Sequence, residues 1–455
     1  MTTTASAPVA SAGPLSDLLP GGTLDDPVRR RTAMLAIAAV AVGLGIYGGT
    51  TTTTSSAAAL WVVTGVGVPL ALVALRPRGA VVVLVAALAL FGPVALRTSD
   101  LAAQSGHTQE AAHDGGVIVT EAAAHDLMAG RNPYAVSYAD DLPAVWDELN
   151  VVPGESSPNP VVDHLPYLPG AVLAAVPGVI LDDLVGVGGD PRWVMGLLVA
   201  GALVALARRP EDAWARAAAM FALGSSFAVI YAAWGTNDAA AAALVVLAMA
   251  GARRHPVAAG LALALAVSYK APLAVALVPW AVWEIRQRGW AGLRRWWSLP
   301  VALAVTALPF LAWSPSAFWS DTVAFWLGRG DDAFPASGLG LAYRAPDLMT
   351  GPVGAAITIG LAVAGLAAAV ALVRKIDHEA VLPVASALVL LGLLVPARTF
   401  QPNYLALVTG LLATGWLLAS PSHPSGRDGV WSNAPQPAPS PTRPAPTSSR
   451  TPTDG

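Results

Sequence analysis

Residues 166–181 read Pro166-Tyr167-Leu168-Pro169-Gly170-Ala171-Val172-Leu173-Ala174-Ala175-Val176-Pro177-Gly178-Val179-Ile180-Leu181. Whether this run crosses a membrane decides the orientation of everything after it. It is apolar but short, is broken by three prolines, and runs into Asp182-Asp183, whereas a crossing helix needs about 20 apolar residues. Charge separates the two options. If the run dips in and returns, the cationic clusters Arg29–Arg31, Arg76/Arg78, Arg208/Arg209/Arg216, Arg253/Arg254, Arg286–Arg295, Arg374/Lys375 and the tail share one face. That face then holds 19 of the 26 Lys and Arg residues, against 10 of 26 if the run crosses. Basic residues concentrate on the cytoplasmic side, so the run reads as a re-entrant or surface-lying segment.

The flanking sequence predicts an all-α, polytopic membrane helix bundle. Of 455 residues, 55% are hydrophobic and 12% charged, with mean hydropathy +0.57, where soluble domains carry about 25% charged residues. Apolar runs at 33–49, 57–75, 80–96, 192–207, 217–233, 237–252, 257–269, 271–285, 299–313, 351–373, 380–396 and 403–420 predict about 12 crossings with both termini cytoplasmic. Residues 1–32 read as a disordered cytoplasmic N-terminus, and 421–455 as a disordered Pro/Ser-rich cytoplasmic tail. The first apolar run follows a leader too long for a signal peptide, so it is expected to be a retained helix. The net charge of −3 gives no sign of nucleic-acid binding, and the absence of cysteine excludes disulfide and thiol chemistry.

In this topology the polar motifs face outward. Residues 97–166 hold four of the seven histidines and eleven of the 29 acidic residues, so this long extracytoplasmic first loop carries the candidate chemistry, on amphipathic helices. Val117 to Ala129 reads as a helix with Gly130 as its C-cap and Pro133 beyond. Glu121 and His125 share a face, and Gly115-Gly116 is expected to loosen the backbone so that Asp114 can approach a ligand. Asp114 is the candidate base and Glu121 its supporting group, with Asp100, Glu110 and Asp126 as rival bases; the plainer reading is a solvated helix on the headgroups. Gly130-Arg131-Asn132-Pro133-Tyr134 is a turn, whose Arg131 either holds a phosphate or anchors at headgroups. A second outer loop spans 314–350.

Three further motifs lie at the ends of crossings. Asn237-Asp238 opens one, as a substrate contact or a helix cap. Lys270 lies between two short apolar halves with Pro272 after it, and an ammonium at that depth marks a site or an ion pair. Arg398 precedes the last crossing, and with Lys270 it could cradle an anionic phosphate. Trp280, Trp283, Trp290, Trp296 and Trp297 read as an inner aromatic belt, and Trp313, Trp319 and Trp326 as an outer one. His107, His113, His125 and His164 have no spacing diagnostic of a metal; no cofactor is expected, with a divalent metal left open.

The order of these motifs resembles the GT-C superfamily of integral-membrane glycosyltransferases, most nearly its actinobacterial polyprenyl-phosphomannose-dependent mannosyltransferase branch. The resemblance rests on Asp114, Gly130-Arg131-Asn132-Pro133-Tyr134, Tyr167-Leu168-Pro169, Asn237-Asp238, Lys270-Ala271-Pro272 and Asn403-Tyr404, over roughly 300 residues from Asp114 onward. Two extra crossings, 33–49 and 57–75, depart from that pattern. The resemblance implies a multi-pass cell-membrane enzyme, with residues 33–420 as its transferase domain and its active site on the extracytoplasmic face. It implies an inverting transfer of a sugar, mannose by the likeness, from a polyprenyl-phosphate donor to a glycolipid or glycan acceptor. Asp114 and Glu121 would be catalytic, and Arg131, Tyr134, His164, Tyr167, Asn237, Asp238, Lys270, Arg398 and Asn403 would bind substrate. The alternative is a secondary transporter of a sugar or lipid-linked anion using Lys270 and Asp238; a non-catalytic membrane scaffold is the third class.

Overall fold

A computed structural model describes residues 115–141, 160–185, 191–207, 236–252, 254–328 and 336–419. The expected crossings 33–49, 57–75, 80–96 and 217–233, both termini, and Asp114, Asp100, Glu110, His107 and His113 lie outside these residues.

The described chain is mostly helical. Its helices are α1 (Gly115–Met128), α2 (Pro169–Val185), α3 (Arg192–Ala207), α4 (Asp238–Gly251), α5 (Pro256–Tyr269), α6 (Leu273–Ala276), α7 (Val278–Arg288), α8 (Trp290–Leu293), α9 (Ser298–Trp313), α10 (Pro315–Trp319), α11 (Leu341–Arg344), α12 (Gly351–Lys375), α13 (Val381–Leu394) and α14 (Tyr404–Ala419). Two short strands, β1 (Ser337–Gly338) and β2 (Thr399–Phe400), pair in parallel. Helix α4 is the axis of the bundle, packed by α3, α5 and α14. Its alanine run, Ala239 to Ala243, is buried on every side, because residues that small let three helices approach one backbone. Helix α14 also packs on α13, and α13 on α12.

Glycine sets the α12–α13 crossing. A Cβ on Gly392 would lie 2.7 Å from the Leu361 carbonyl oxygen and 3.1 Å from the Gly365 Cα. Gly392→Val therefore forces the two helices apart and is expected to cost about 1–3 kcal/mol. Thermal unfolding in detergent reads this as a lowered midpoint, and an unchanged midpoint would mean that the crossing is not close.

Several sequence expectations need correction. Among the described residues one helix, α12, is long and apolar enough to cross a bilayer alone, and only 11% of its most apolar window is buried. A second candidate is the bent pair Trp290–Trp296 and Ser298–Trp313, which turns by 50°. The apolar helices α4, α5 and α13 have 14 residues each, about 21 Å at 1.5 Å per residue, because polar residues, glycines and prolines stop them early. The run 271–285 is not one helix: it breaks at Leu277 between α6 and α7. Conversely, 166–181 is not broken within its body. Helix α2 runs unbroken through Pro177, whose ring displaces only the bond to the carbonyl of half-exposed Leu173. Trp280 and Trp283 are buried, with the Trp280 indole donating to Ser386 Oγ at 2.9 Å, so they are core residues rather than belt anchors. Trp290, Trp297, Trp313 and Trp319 are exposed, as anchors are.

Candidate active site

Helix α1 ends as its sequence predicts, with Gly130 at φ 73° after Met128. It does not lie on a surface: Val117, Ile118, Val119, Ala122, Ala123 and Ala124 are all buried, and α1 packs along α2. Gly115-Gly116 is the first turn of that helix, not a loosened segment. Gly116 is small because the Tyr167 side chain fills the place where its Cβ would stand. The open side of α1 borders a cleft of about 450 Å³ lined by Glu121, His125, Asp126, Arg131, Asp140 and Asp141. Arg131 is not a free cation there. Its Nε donates to Asp126 Oδ1 at 2.8 Å, with a second bond from the same guanidinium to that oxygen. Burial, together with the charges of Asp126 and Asp140, pushes the Asp141 carboxyl above its ordinary range.

Residues 164–170 join α1 and the turn after it to the bundle. The Tyr134 hydroxyl donates to the Tyr167 carbonyl at 2.7 Å, and the Trp326 indole donates to the Pro166 carbonyl at 3.1 Å. The Leu168 N–H donates to the Ser268 carbonyl at 3.3 Å, and Gly170 lies against the Ser268 hydroxyl. Tyr134 is buried with its ring edge-on to Phe310 and Phe318, which makes it a strut of this junction. Burial raises the Tyr134 and Tyr138 hydroxyls far above their ordinary range, so both stay neutral donors.

Two residues beyond Ser268 lies an ionic cluster. Lys270 terminates α5 with extended backbone, φ −141° and ψ 89°, two residues before Pro272. Its Nζ is 3.2 Å from Asp238 Oδ1 and 4.0 Å from the centre of the Tyr404 ring. Asp238 is completely buried, and its other oxygen accepts from Asn403 Nδ2 at 2.6 Å. Asn237 forms no side-chain cap; its Nδ2 donates to the Tyr269 carbonyl at 3.0 Å. Asn237, Asp238, Lys270 and Asn403, spread over 167 positions in sequence, thus meet in one place. Oγ1 of Thr236, Oδ1 of Asn237 and Oγ1 of Thr399 are buried without a hydrogen bond, and a ligand hydroxyl would satisfy such atoms. The Arg398 side chain runs across the backbone of Gly328, within the 314–350 segment.

The residue that the sequence reading missed is Asp321. It is buried in a single π-helical turn, Ser320–Ala324, a distortion frequent at functional sites. Asp321 Oδ1 is 2.7 Å from His164 Nδ1, and Oδ2 accepts from the Leu165 N–H at 2.9 Å. The His164 ring lies over Phe325, with centroids 4.4 Å apart. Burial pushes the Asp321 carboxyl up, while its bonds to His164 and Leu165 pull it back. Among the described residues no group of three His, Asp or Glu side chains is arranged to hold a metal ion.

Fold and site together define a helical protein with at least one membrane-length helix, a buried Asp–Lys–Asn cluster, and an Asp–His pair tied to it through residues 164–170. No family model, no curated protein and no solved structure matches this chain.

Proposed function

We propose that the protein is an inverting, membrane-embedded glycosyltransferase. It moves a sugar, mannose by the resemblance, from a polyprenyl-phosphate donor to a glycolipid or glycan at the outer face of the cell membrane. The observation that carries this reading is the meeting of Asn237-Asp238, Lys270 and Asn403-Tyr404 in one buried cluster. These are three of the motifs on which the family resemblance rests, and nothing in their spacing requires them to touch. Residues 164–170 tie the cluster to the cleft at Glu121. A multi-pass arrangement of about 12 crossings goes with this reading, the shorter helices being extended by interfacial pieces or matched by a locally thinned bilayer. The apolar, exposed faces of α9 and α12, with Val305, Leu308, Ile359 and Val363 outward, are costly in water and favourable against lipid.

Chemically, the acceptor oxygen attacks the anomeric carbon, the bond to the phosphate oxygen breaks, and polyprenyl phosphate leaves. Rate comes from orientation and from preorganised charge around that phosphate. Lys270 enters this scheme already balanced by Asp238, so it serves as a positioned dipole more than as a free cation. Membranes carrying the full chain, given polyprenyl-phosphate mannose with a labelled sugar and a lipid extract as acceptor, should form a labelled product of inverted anomeric configuration. If proteoliposomes instead accumulate the labelled substrate with no new glycosidic bond, the transporter reading replaces this one.

A further inference from the structure

We infer that His164, oriented by Asp321, is the catalytic base of the transfer, taking the acceptor hydroxyl proton on Nε2. This rests on the transferase reading above and departs from the assignment of Asp114. Four features carry it. The Asp321 carboxylate has only acceptor atoms, so His164 Nδ1 is the N–H of the 2.7 Å bond and Nε2 holds the ring's lone pair. Nε2 makes no hydrogen bond among the described residues, and the side chain keeps 11% of its surface open. Asp321 is itself fixed by the Leu165 N–H, and the ring by Phe325, so both members of the pair are held in place. Finally, His164 begins the segment whose Leu168 N–H donates to the Ser268 carbonyl, two residues before Lys270. A carboxylate–imidazole pair with one free nitrogen is a general-base geometry.

The step balances without another reactant. The acceptor O–H proton passes to Nε2 while the oxygen forms its bond to the anomeric carbon. The electron pair of the breaking carbon–oxygen bond leaves on the polyprenyl phosphate. The imidazolium, stabilised by Asp321, then returns its proton to water. Asp321 is a positioning residue in this scheme.

The test uses labelled polyprenyl-phosphate mannose with membranes of the full-length chain. His164→Ala should lower kcat about 100-fold or more, the usual worth of a general base, with the donor KM little changed. Added imidazole should restore part of the activity, which it cannot do for a structural defect. His164→Asn keeps an N–H for Asp321 and should fold like the wild type, yet stay equally slow. Asp321→Asn removes the carboxylate that orients the ring and should lower kcat with the donor KM little changed. If the wild type transfers and both His164 variants keep kcat within threefold, the inference is overturned and the transferase reading stands. Loss of activity in His164→Ala with no imidazole rescue, together with an unchanged kcat in Asp321→Asn, overturns it as well. A wild type that transfers nothing overturns both.

Discussion

Lys270→Met should be among the most destabilising single substitutions in the bundle, and pairing it with Asp238→Leu should recover much of the loss. Asp238 is completely buried, and its charge is met by the Lys270 ammonium at 3.2 Å and the Asn403 amide at 2.6 Å. Removing only the cation leaves a buried carboxylate with a neutral donor, and breaking such a pair costs about 3–5 kcal/mol. Replacing both members by apolar groups removes the need for compensation, so the double variant should unfold closer to the wild type. Thermal unfolding of the four proteins in detergent completes a double-mutant cycle. A purely structural pair predicts that sugar transfer recovers along with stability. The transferase reading predicts a stable but inactive double variant, since Lys270 and Asp238 then lie at the substrate. If the single variant unfolds like the wild type, the carboxylate is not dependent on its cation and the cluster is open to water.

This cluster was largely legible in the sequence. A lysine between two apolar halves and before a proline has few explanations, and the structure turns α5 off at that residue. The end of α1 was legible too, because Gly130 at positive φ is a local signal. Asp321 was not. Its partner His164 is 157 positions away, and the surrounding Ser314-Pro315-Ser316-Ala317-Phe318-Trp319-Ser320 reads as an interfacial loop. A lone acid in a tryptophan-rich stretch was the only available signal, and exposure would have explained it equally well. Helix lengths were also misread. Hydropathy marks where chain prefers lipid or core, but the break at Leu277 lies inside an apolar run, where composition gives no signal for it. Arg131 shows a third limit: nothing local favours a phosphate over Asp126, five residues before it, and the structure chooses the neighbour.

Tyr134 separates a strut from a substrate ligand. Tyr134→Ala should cost about 3–5 kcal/mol, as removal of a buried aromatic ring does, because Phe310 and Phe318 lose their edge contacts and the turn after α1 loses its tie to α9 and α10. Tyr134→Phe keeps the ring and removes only the bond to the Tyr167 carbonyl. That should cost about 1 kcal/mol, with some added penalty for a carbonyl left unpaired. Tyr167 is the residue between Pro166, held by Trp326, and Leu168, held by Ser268. Loosening it disturbs both halves of the site at once, so kcat should fall in Tyr134→Phe while the KM for either substrate changes little. A substrate-binding tyrosine predicts the opposite: a raised KM in Tyr134→Phe, with unfolding unchanged. Steady-state kinetics and thermal unfolding on the two variants decide between them. The burial of the ring behind Phe318 favours the strut, since a ligand could reach the hydroxyl only by displacing the contact that orders residues 164–170.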